Sequence, residues 1–592
     1  MQKYKTRAER KRAEKQNQLK QDKFEIEDLE EITTVPSEDS PEEESVMENL
    51  GDSEDKMVEG TFWMTFGSIF SRLLGALYII PWNAMMGASS QIGNALFSIG
   101  YTPYQFFLSV GTAGFPSAMS KQIAEYNAKK QYKAGQELFK KSLIFMLFTG
   151  VASSLLMFLL APVIAHYSPG ASVADKTLVI RSLAPALLVV PVMSLIRGYF
   201  QGYQNMIPSA ITNIVEQVVR VAYMLLATYV VMQVIDGRIA TAVAHSTFAA
   251  FVGAFASLLM LMWYYQKHIR KYGSALKNDT IEVSIDITSA IKKLVAESIP
   301  FIIVGSGITF GKFIDQFTFE PIMLHLTEFD KDLIGELYSL FSFNADKLIM
   351  IIISLAVGMS ATSIPLLVEN YIKQDFKQLG KQIKQVFELF FFVMFPSAFG
   401  MMIVSKPIYS LFYGITDFNP LGAKLLAIAS VMSIILGAFT IAVSILQSFG
   451  DHRSAIIYLG IGLLVKIATQ YPFIYLFETS GALYATSVGF LVTTILSVWK
   501  IQQLVRFDIN STLNSIGVIA LITGWMIAIA HIVLRVAGIF LSSERRFTAL
   551  LLVFVVAIAG GTVYLYLALK TRIADRVLGD RVSGLRKKLK IS

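Results

Sequence analysis

From about Val58 onward, long apolar runs alternate with short polar loops. A helix needs about 20 predominantly apolar residues to cross a bilayer. Fourteen runs of that kind are placed near 58–82, 92–115, 142–166, 177–200, 208–232, 239–264, 293–317, 337–363, 386–412, 422–447, 454–477, 481–499, 514–540 and 548–569. They are too long for strands and lack a two-residue alternation, which excludes a barrel. The pattern predicts an all-α polytopic membrane protein.

The stretch from Arg197 to Arg220, RGYFQGYQNMIPSAITNIVEQVVR, joins two of these runs by a short polar turn. A related stretch returns as ILQSFGDHRSAIIYLGIGLLVK, from Ile445 to Lys466. Gln201 maps on Gln447, Asn205 on Asp451 and Arg220 on Lys466, all at one offset. A second echo pairs SVGTAGFPSAMSKQIAEYNAKKQYKAG with AVGMSATSIPLLVENYIKQDFKQLG, where Glu125 and Lys133 match Glu369 and Lys377. Both segments read as amphipathic helices lying on the inner leaflet after a span-ending Gly and Pro. A period of about half the apolar chain means two homologous bundles rather than a solenoid. In membranes, paired repeats with a site between them mark secondary transporters. The expected organisation is a charged tail over 1–57, a six-span lobe over 58–264, a loop over 265–292 and a second six-span lobe over 293–505. Spans thirteen and fourteen fill 506–570, and a basic tail ends the chain at 571–592.

Composition agrees with a membrane chain: 54% of residues are hydrophobic and only 16% are charged, against about 25% charged in soluble domains. There is no cysteine, so disulfides and thiolate metal sites are excluded. The six His show no zinc-binding spacing, and no cofactor is expected. The polar N-terminal segment runs from basic to acidic without an apolar core, so it reads as a disordered tail and not as a signal peptide. The loops Lys121–Lys141, Gln266–Lys293 and Lys373–Lys384 and the tail Lys570–Lys590 are rich in Lys, whereas Glu320–Glu336 is acidic. That alternation puts both termini in the cytoplasm, and it places SSERRF, Ser542–Phe547, outside as an exception. The net charge of +8 is therefore loop asymmetry, not a nucleic-acid surface.

The charges inside the runs carry the chemistry, because each costs about 2.5–3.5 kcal/mol at the bilayer centre unless it has a partner or a wet cavity. Arg72 sits in the first span beside Gly67, Ser71 and Gly75, small residues every four positions that let helices approach. Glu216 and Arg220 are four apart on one face, either as a structural pair or as a carboxylate that releases its arginine to an anionic ligand. In span seven, Pro300 and the glycines at 305, 307 and 311 favour a bend. Lys312 and Asp315 lie three apart there and can pair. Asp346 and Lys347 are adjacent, about 100° apart on a helix, so each looks elsewhere for a partner. Arg181 and Arg197, near opposite ends of span four, are expected to snorkel. The embedded charges are more basic than acidic, which predicts a hydrated cationic cavity for a phosphate or diphosphate.

The segments GSIFSRLLGALYIIPWNAMMG, FFLSVGTAGFPSAMSKQIAEYNAKKQ and RGYFQGYQNMIPSAITNIVEQVVR resemble the polysaccharide-biosynthesis exporters of the MOP superfamily, and among them the MurJ-like lipid II flippases. The resemblance spans about Val58 to Lys570. It implies fourteen helices in two six-helix lobes plus two, and transport of an undecaprenyl-diphosphate-linked sugar between leaflets. It also implies a cationic central cavity, with membrane lipids and the cell-wall synthesis machinery as partners. The first-span S-R-x-x-G of that family is matched by Ser71, Arg72 and Gly75. Roles for Arg220, Lys312 and Lys347 rest on depth alone, with Glu216 and Asp315 neutralising them when the cavity is empty. Rival readings are a flippase for a capsule, teichoic or exopolysaccharide unit, a multidrug antiporter, a membrane enzyme, and a scaffold.

Overall fold

A computed structural model describes residues 73–112, 114–129, 131–170, 172–277, 287–542 and 545–578, together with 67, 70 and 71. The N-terminal tail, the start of the first span, Arg72, the centre of the 265–292 loop and the end of the C-terminal tail lie outside the described residues. The described residues are helical, with no strand among them.

The first half of the chain gives α1 (Ile79–Met86), α2 (Ser90–Thr112), α3 (Phe115–Ala128), α4 (Tyr132–His166), α5 (Val173–Gly202), α6 (Ile207–Tyr229) and α7 (Ile239–Lys277). The second half gives α8 (Ile287–Gly305), α9 (Gly307–Leu326), α10 (Lys331–Ser339), α11 (Asp346–Ile372), α12 (Phe376–Ile403), α13 (Ser405–Tyr413), α14 (Asn419–Ser448), α15 (His452–Phe477) and α16 (Thr479–Val505). Then follow α17 (Ile509–Phe540), α18 (Arg546–Lys570) and the short α19 (Ile573–Leu578). Side-chain oxygens mark several starts: Ser172, Asp330, Asp375, Asp451 and Asp508 each accept from the backbone amide three residues on, satisfying donors the helix cannot pair itself.

Eleven of these elements are long and apolar enough to cross a membrane among the described residues, or twelve when α8 and α9 count as one bent span. The remaining expected spans are the first, about half of it outside the described residues, and the second, α2. Asn, Gln, Ser and Thr side chains interrupt the apolar run of α2, which is mostly buried inside the protein. The span-seven bend is present: α8 and α9 meet at 45° around Ser306, between Gly305 and Gly307. Pro300 lies within α8, not at the break.

The sequence repeat is a repeat of backbone. Helices α5 and α14 occupy the same positions at one constant offset, and each is the most buried kind of span here, with 72% of its apolar window covered by protein. In the turn after α5, Gln204 has φ +57°, and in the turn after α14, Gly450 has φ +76°. The Asn205 amide donates to Phe200 O and the Asp451 amide to Leu446 O, both at 3.0 Å. A left-handed residue is the cheapest way to reverse the chain in so few residues, and glycine takes it with least strain. By contrast α4, α15 and α18 are only 22% covered over their apolar windows and turn apolar side chains such as Ile144, Phe148 and Leu464 outward, as lipid-facing helices must.

The second echo differs between its copies. After α2 the chain breaks at Gly114, φ +79°, and α3 starts with Pro116 in its first turn. In the second copy α11 continues to Ile372 without a break, so there is no separate surface helix there. In both copies the echoed glutamate pairs with a lysine four residues on: Lys129 donates to Glu125 at 2.9 Å and Lys373 to Glu369 at 2.6 Å.

Candidate functional site

A cavity of about 510 Å³ opens between α2, α6, α7, α9 and α11 and the helical residues leading into α1. Its lining includes Ser71, Gly75, Gln217, Arg220, Lys312, Asp346 and Lys347. Arg220 lies 13 residues into α6, about 20 Å along the axis at 1.5 Å per residue, near the middle of the 28-residue apolar span Ile207–Val234. Four of the expected site residues, Ser71, Arg220, Lys312 and Lys347, are thus brought to one space. Arg72, next to Ser71, is outside the described residues.

Each lining cation is held differently. Lys312 Nζ donates to Asp346 Oδ2 at 2.7 Å across from α9 to α11. Lys347, next in sequence, points the other way. Its ammonium sits over the rings of Tyr101 at 4.7 Å, Phe97 at 5.0 Å and Phe343 at 5.4 Å, so aromatic faces rather than a carboxylate stabilise it. Arg220 Nη2 donates to Glu216 Oε1 at 2.6 Å, while its buried Nε has no hydrogen-bond partner among the described residues. The lining is therefore a mixture of one matched ion pair and cations with spare donors.

The expected Lys312–Asp315 pairing is not what forms. Although three apart on α9, the two side chains diverge: Lys312 takes Asp346, and Asp315 takes Lys466 from α15. Lys466 is fully buried, donating to Asp315 Oδ2 at 2.7 Å and to Thr486 Oγ1 at 2.5 Å. Gln470 Nε2 donates to the other Asp315 oxygen at 2.9 Å. Asp315 lies off the main cavity, in a side chamber of about 40 Å³ that shares Lys312, Asp346, Ser98, Thr102 and Ser342 with it. An ion pair across two helices beats one on a single helix here because the facing helix brings a complete set of partners.

Glu216 behaves as expected toward Arg220 and adds a partner that was not expected. Arg197 Nη2 donates to Glu216 Oε2 at 3.1 Å and to Ser257 Oγ at 3.0 Å. Arg197 thus turns inward rather than snorkelling, since Glu216, Thr212 and Ser257 give it buried acceptors. Arg181 remains at the surface, its guanidinium 4.5 Å from the Phe158 ring. Glycine at 253 makes the triad compact: a Cβ there would lie 2.5 Å from Glu216 O and 3.0 Å from Arg220 Cβ. Gly489 does the same beside Lys466, where a Cβ would lie 2.9 Å from Lys466 Cβ.

At the end of the bundle where α1 passes into α2, the two halves of the chain are joined by a buried polar network that sequence reasoning missed. Asn94 Nδ2 donates to Asn344 Oδ1 at 2.8 Å and to Asn83 Oδ1 at 3.2 Å. Asn344 Nδ2 donates to Gln91 Oε1 at 3.0 Å and to Tyr409 Oη at 2.7 Å. Ser339 Oγ donates to Gln91 Oε1 at 2.9 Å. Asn344 lies in a π-helical turn, Leu340–Ala345, between α10 and α11, a distortion that often marks a functional position. At the same end Gln316 Nε2 donates to Ser168 Oγ at 2.8 Å, and the Gly170 amide donates to Glu320 at 2.7 Å. The signal was present in the sequence as amides inside apolar runs, which are expensive unless paired.

Residues 57–371 match the family described as Polysaccharide biosynthesis protein, and residues 344–472 match the MatE family. The chain is 32% identical over 541 residues to the Lipid II flippase MurJ of Bacillus subtilis (strain 168), covering 90% of this chain and 98% of that protein. It is 29% identical over 224 residues to Stage V sporulation protein B of the same organism, covering 36% and 40%. Among solved structures, Lipid II flippase MurJ in an inward closed conformation superposes with a TM-score of 0.60 at 15% identity, covering 87% of this chain and 99% of that one. An inward-facing multidrug resistance MATE family transporter of the MOP superfamily gives 0.54 at 12% identity, covering 73% and 93%. At such identities the structural likeness speaks for the fold alone.

Proposed function

The chain belongs to the polysaccharide biosynthesis protein family, and from that premise we propose that it is a flippase. Its cargo is the undecaprenyl-diphosphate-linked cell-wall precursor, lipid II, moved from the inner to the outer leaflet by alternating access. The observation that carries this reading is the mid-span cavity lined by Arg220, Lys312 and Lys347 against the single carboxylate Asp346 among its described lining residues. Such a lining favours an anionic headgroup and disfavours a cationic drug. The relative named Lipid II flippase MurJ, matched over nearly its whole length, points to the same cargo.

In this reading Arg220, Lys312 and Lys347 bind the diphosphate together with Arg72, which follows cavity-lining Ser71 and precedes cavity-lining Gly75. Glu216 tempers Arg220 while the cavity is empty, and Asp346 takes the part toward Lys312 that the sequence assigned to Asp315. A ligand drives a switch only through its differential affinity for the two states, and the carboxylates provide it by holding the cations until the cargo arrives. The Lys-rich loops support cytoplasmic termini. The end closed by the Asn94–Asn344 network is then the outer one. The organisation into two six-span lobes, with tails at 1–57 and 571–592, belongs to the same proposal, as does association with the cell-wall synthesis machinery.

The test is the outer-leaflet accessibility of lipid II in cells depleted of this protein and complemented with wild type or Arg72→Ala. Collapse on depletion, restored by wild type alone, is the expected result. Unchanged accessibility in a strain without a second flippase would move the cargo to another lipid-linked polysaccharide unit or remove the flippase reading. Full restoration by Arg72→Ala at equal expression would take Arg72 out of the site.

A further inference from the structure

Glu216 is shared by two arginines that differ in everything else. Arg197 is anchored: besides Glu216 it donates through Nε to Thr212 Oγ1 at 3.3 Å and through Nη2 to Ser257 Oγ at 3.0 Å. It does not line the cavity. Arg220 lines the cavity, and Glu216 is its one hydrogen-bond partner among the described residues. Its Nε is buried and unpaired among those residues, a donor that the pairing with Glu216 leaves over. The two carboxylate oxygens are divided, Oε2 to Arg197 at 3.1 Å and Oε1 to Arg220 at 2.6 Å.

We propose that Arg197 is a positioning residue for cargo binding: it holds Glu216 by one oxygen, so that this carboxylate neither cancels nor fully occupies Arg220, and Arg220 keeps donors for a diphosphate. The proposal deepens the flippase reading and rests on it for the identity of the cargo. Charge counting gives it a reason. With Arg197 present, the Arg197–Glu216–Arg220 triad carries one net positive charge, the Lys312–Asp346 pair none and Lys347 one. The described cavity thus opposes two positive charges to the two negative charges of a diphosphate diester. Without Arg197, Glu216 would neutralise Arg220 outright, and bidentate geometry between them would consume the donors the ligand needs.

The experiment is a double-mutant cycle on the full-length protein in nanodiscs, with inorganic pyrophosphate and, separately, lipid II as probes. Arg197→Met is expected to weaken pyrophosphate binding about tenfold in the wild-type background and less than twofold when Glu216→Gln is also present. Glu216→Gln alone is expected to strengthen binding severalfold. A merely structural arginine would give equal losses in both backgrounds, and that result overturns the proposal. If Arg197→Met fails to fold, Arg197→Lys is read in its place, with about threefold weakening in the wild-type background and none beside Glu216→Gln. Should the cycle show this coupling with pyrophosphate while wild type binds no lipid II, Arg197 keeps its role and the lipid II reading falls. Equal losses with lipid II still bound remove Arg197 alone, and a wild type that binds no pyrophosphate overturns the proposal.

Discussion

The Lys466 ammonium, with no exposed surface, donates to Asp315 Oδ2 at 2.7 Å from the helix opposite. Removing one partner of a buried pair leaves an uncompensated charge, at about 3–5 kcal/mol. Asp315→Asn should therefore lower the thermal stability of the purified protein by that order. The double variant Asp315→Leu with Lys466→Met should recover most of the loss, because apolar replacement of both partners is often neutral. Unfolding followed by size-exclusion after heating reads both. A double variant no better than the single would mean that the pair is not the cause.

Lys312 and Asp346 form the matched pair of the cavity wall. Asp346→Asn frees a cation toward the cargo and should tighten binding of undecaprenyl diphosphate. Lys312→Gln removes a charge-assisted bond worth about 1.5–3 kcal/mol and should weaken it about tenfold or more. Equilibrium binding on the same nanodisc preparation checks both signs. Changes of the same sign in the two variants would show that the pair acts through folding.

Lys347 is held over three aromatic rings with no carboxylate within salt-bridge reach among the described residues. Tyr101→Phe keeps a ring face and should leave cargo affinity within about twofold. Tyr101→Leu removes an attraction of about 0.5–2 kcal/mol and lets the ammonium move off its station, so affinity should change while folding does not. Affinity unchanged in Tyr101→Leu would mean that the other two rings suffice.

Gly170 and Gly335 meet back to back at the sealed end: a Cβ on Gly335 would lie 2.7 Å from Gly170 Cα. Gly335→Val should force that end apart. The chain has no cysteine of its own, so a single Ser98→Cys beneath the seal reports access directly. A membrane-impermeant maleimide added outside should label it slowly in the otherwise wild-type chain and at least tenfold faster with Gly335→Val. Equal labelling would place the gate elsewhere.

The helical architecture was legible because apolar length is a local property, and the repeat was legible because its turn chemistry recurs at one offset. Glu216–Arg220 was readable for the same reason, as four residues on a helix fix a shared face. The partners of Lys312 and Asp315 were not, since spacing along one helix says nothing of the helix opposite. Arg197 was misjudged from its position near a span end. Its acceptors, Thr212, Glu216 and Ser257, come from α6 and α7, and only packing brings them within reach. The continuity of α11 past Gly358 was likewise hidden, because glycine and proline signals like those that break α2 after Thr112 are present there too.

The network around Asn94 and Asn344 is made of amides, a serine and a phenol rather than of interlocking methyl groups. Every bond in it is one that water can take over, so the net worth of each is only about 0.5–1.5 kcal/mol. A seal of leucines would have to wet bare hydrocarbon in order to part; this one offers entering water a donor or an acceptor in place of each bond it breaks. On the flippase reading proposed above, it would work as a wettable zipper, cheap enough to undo that a single bound cargo could tip it.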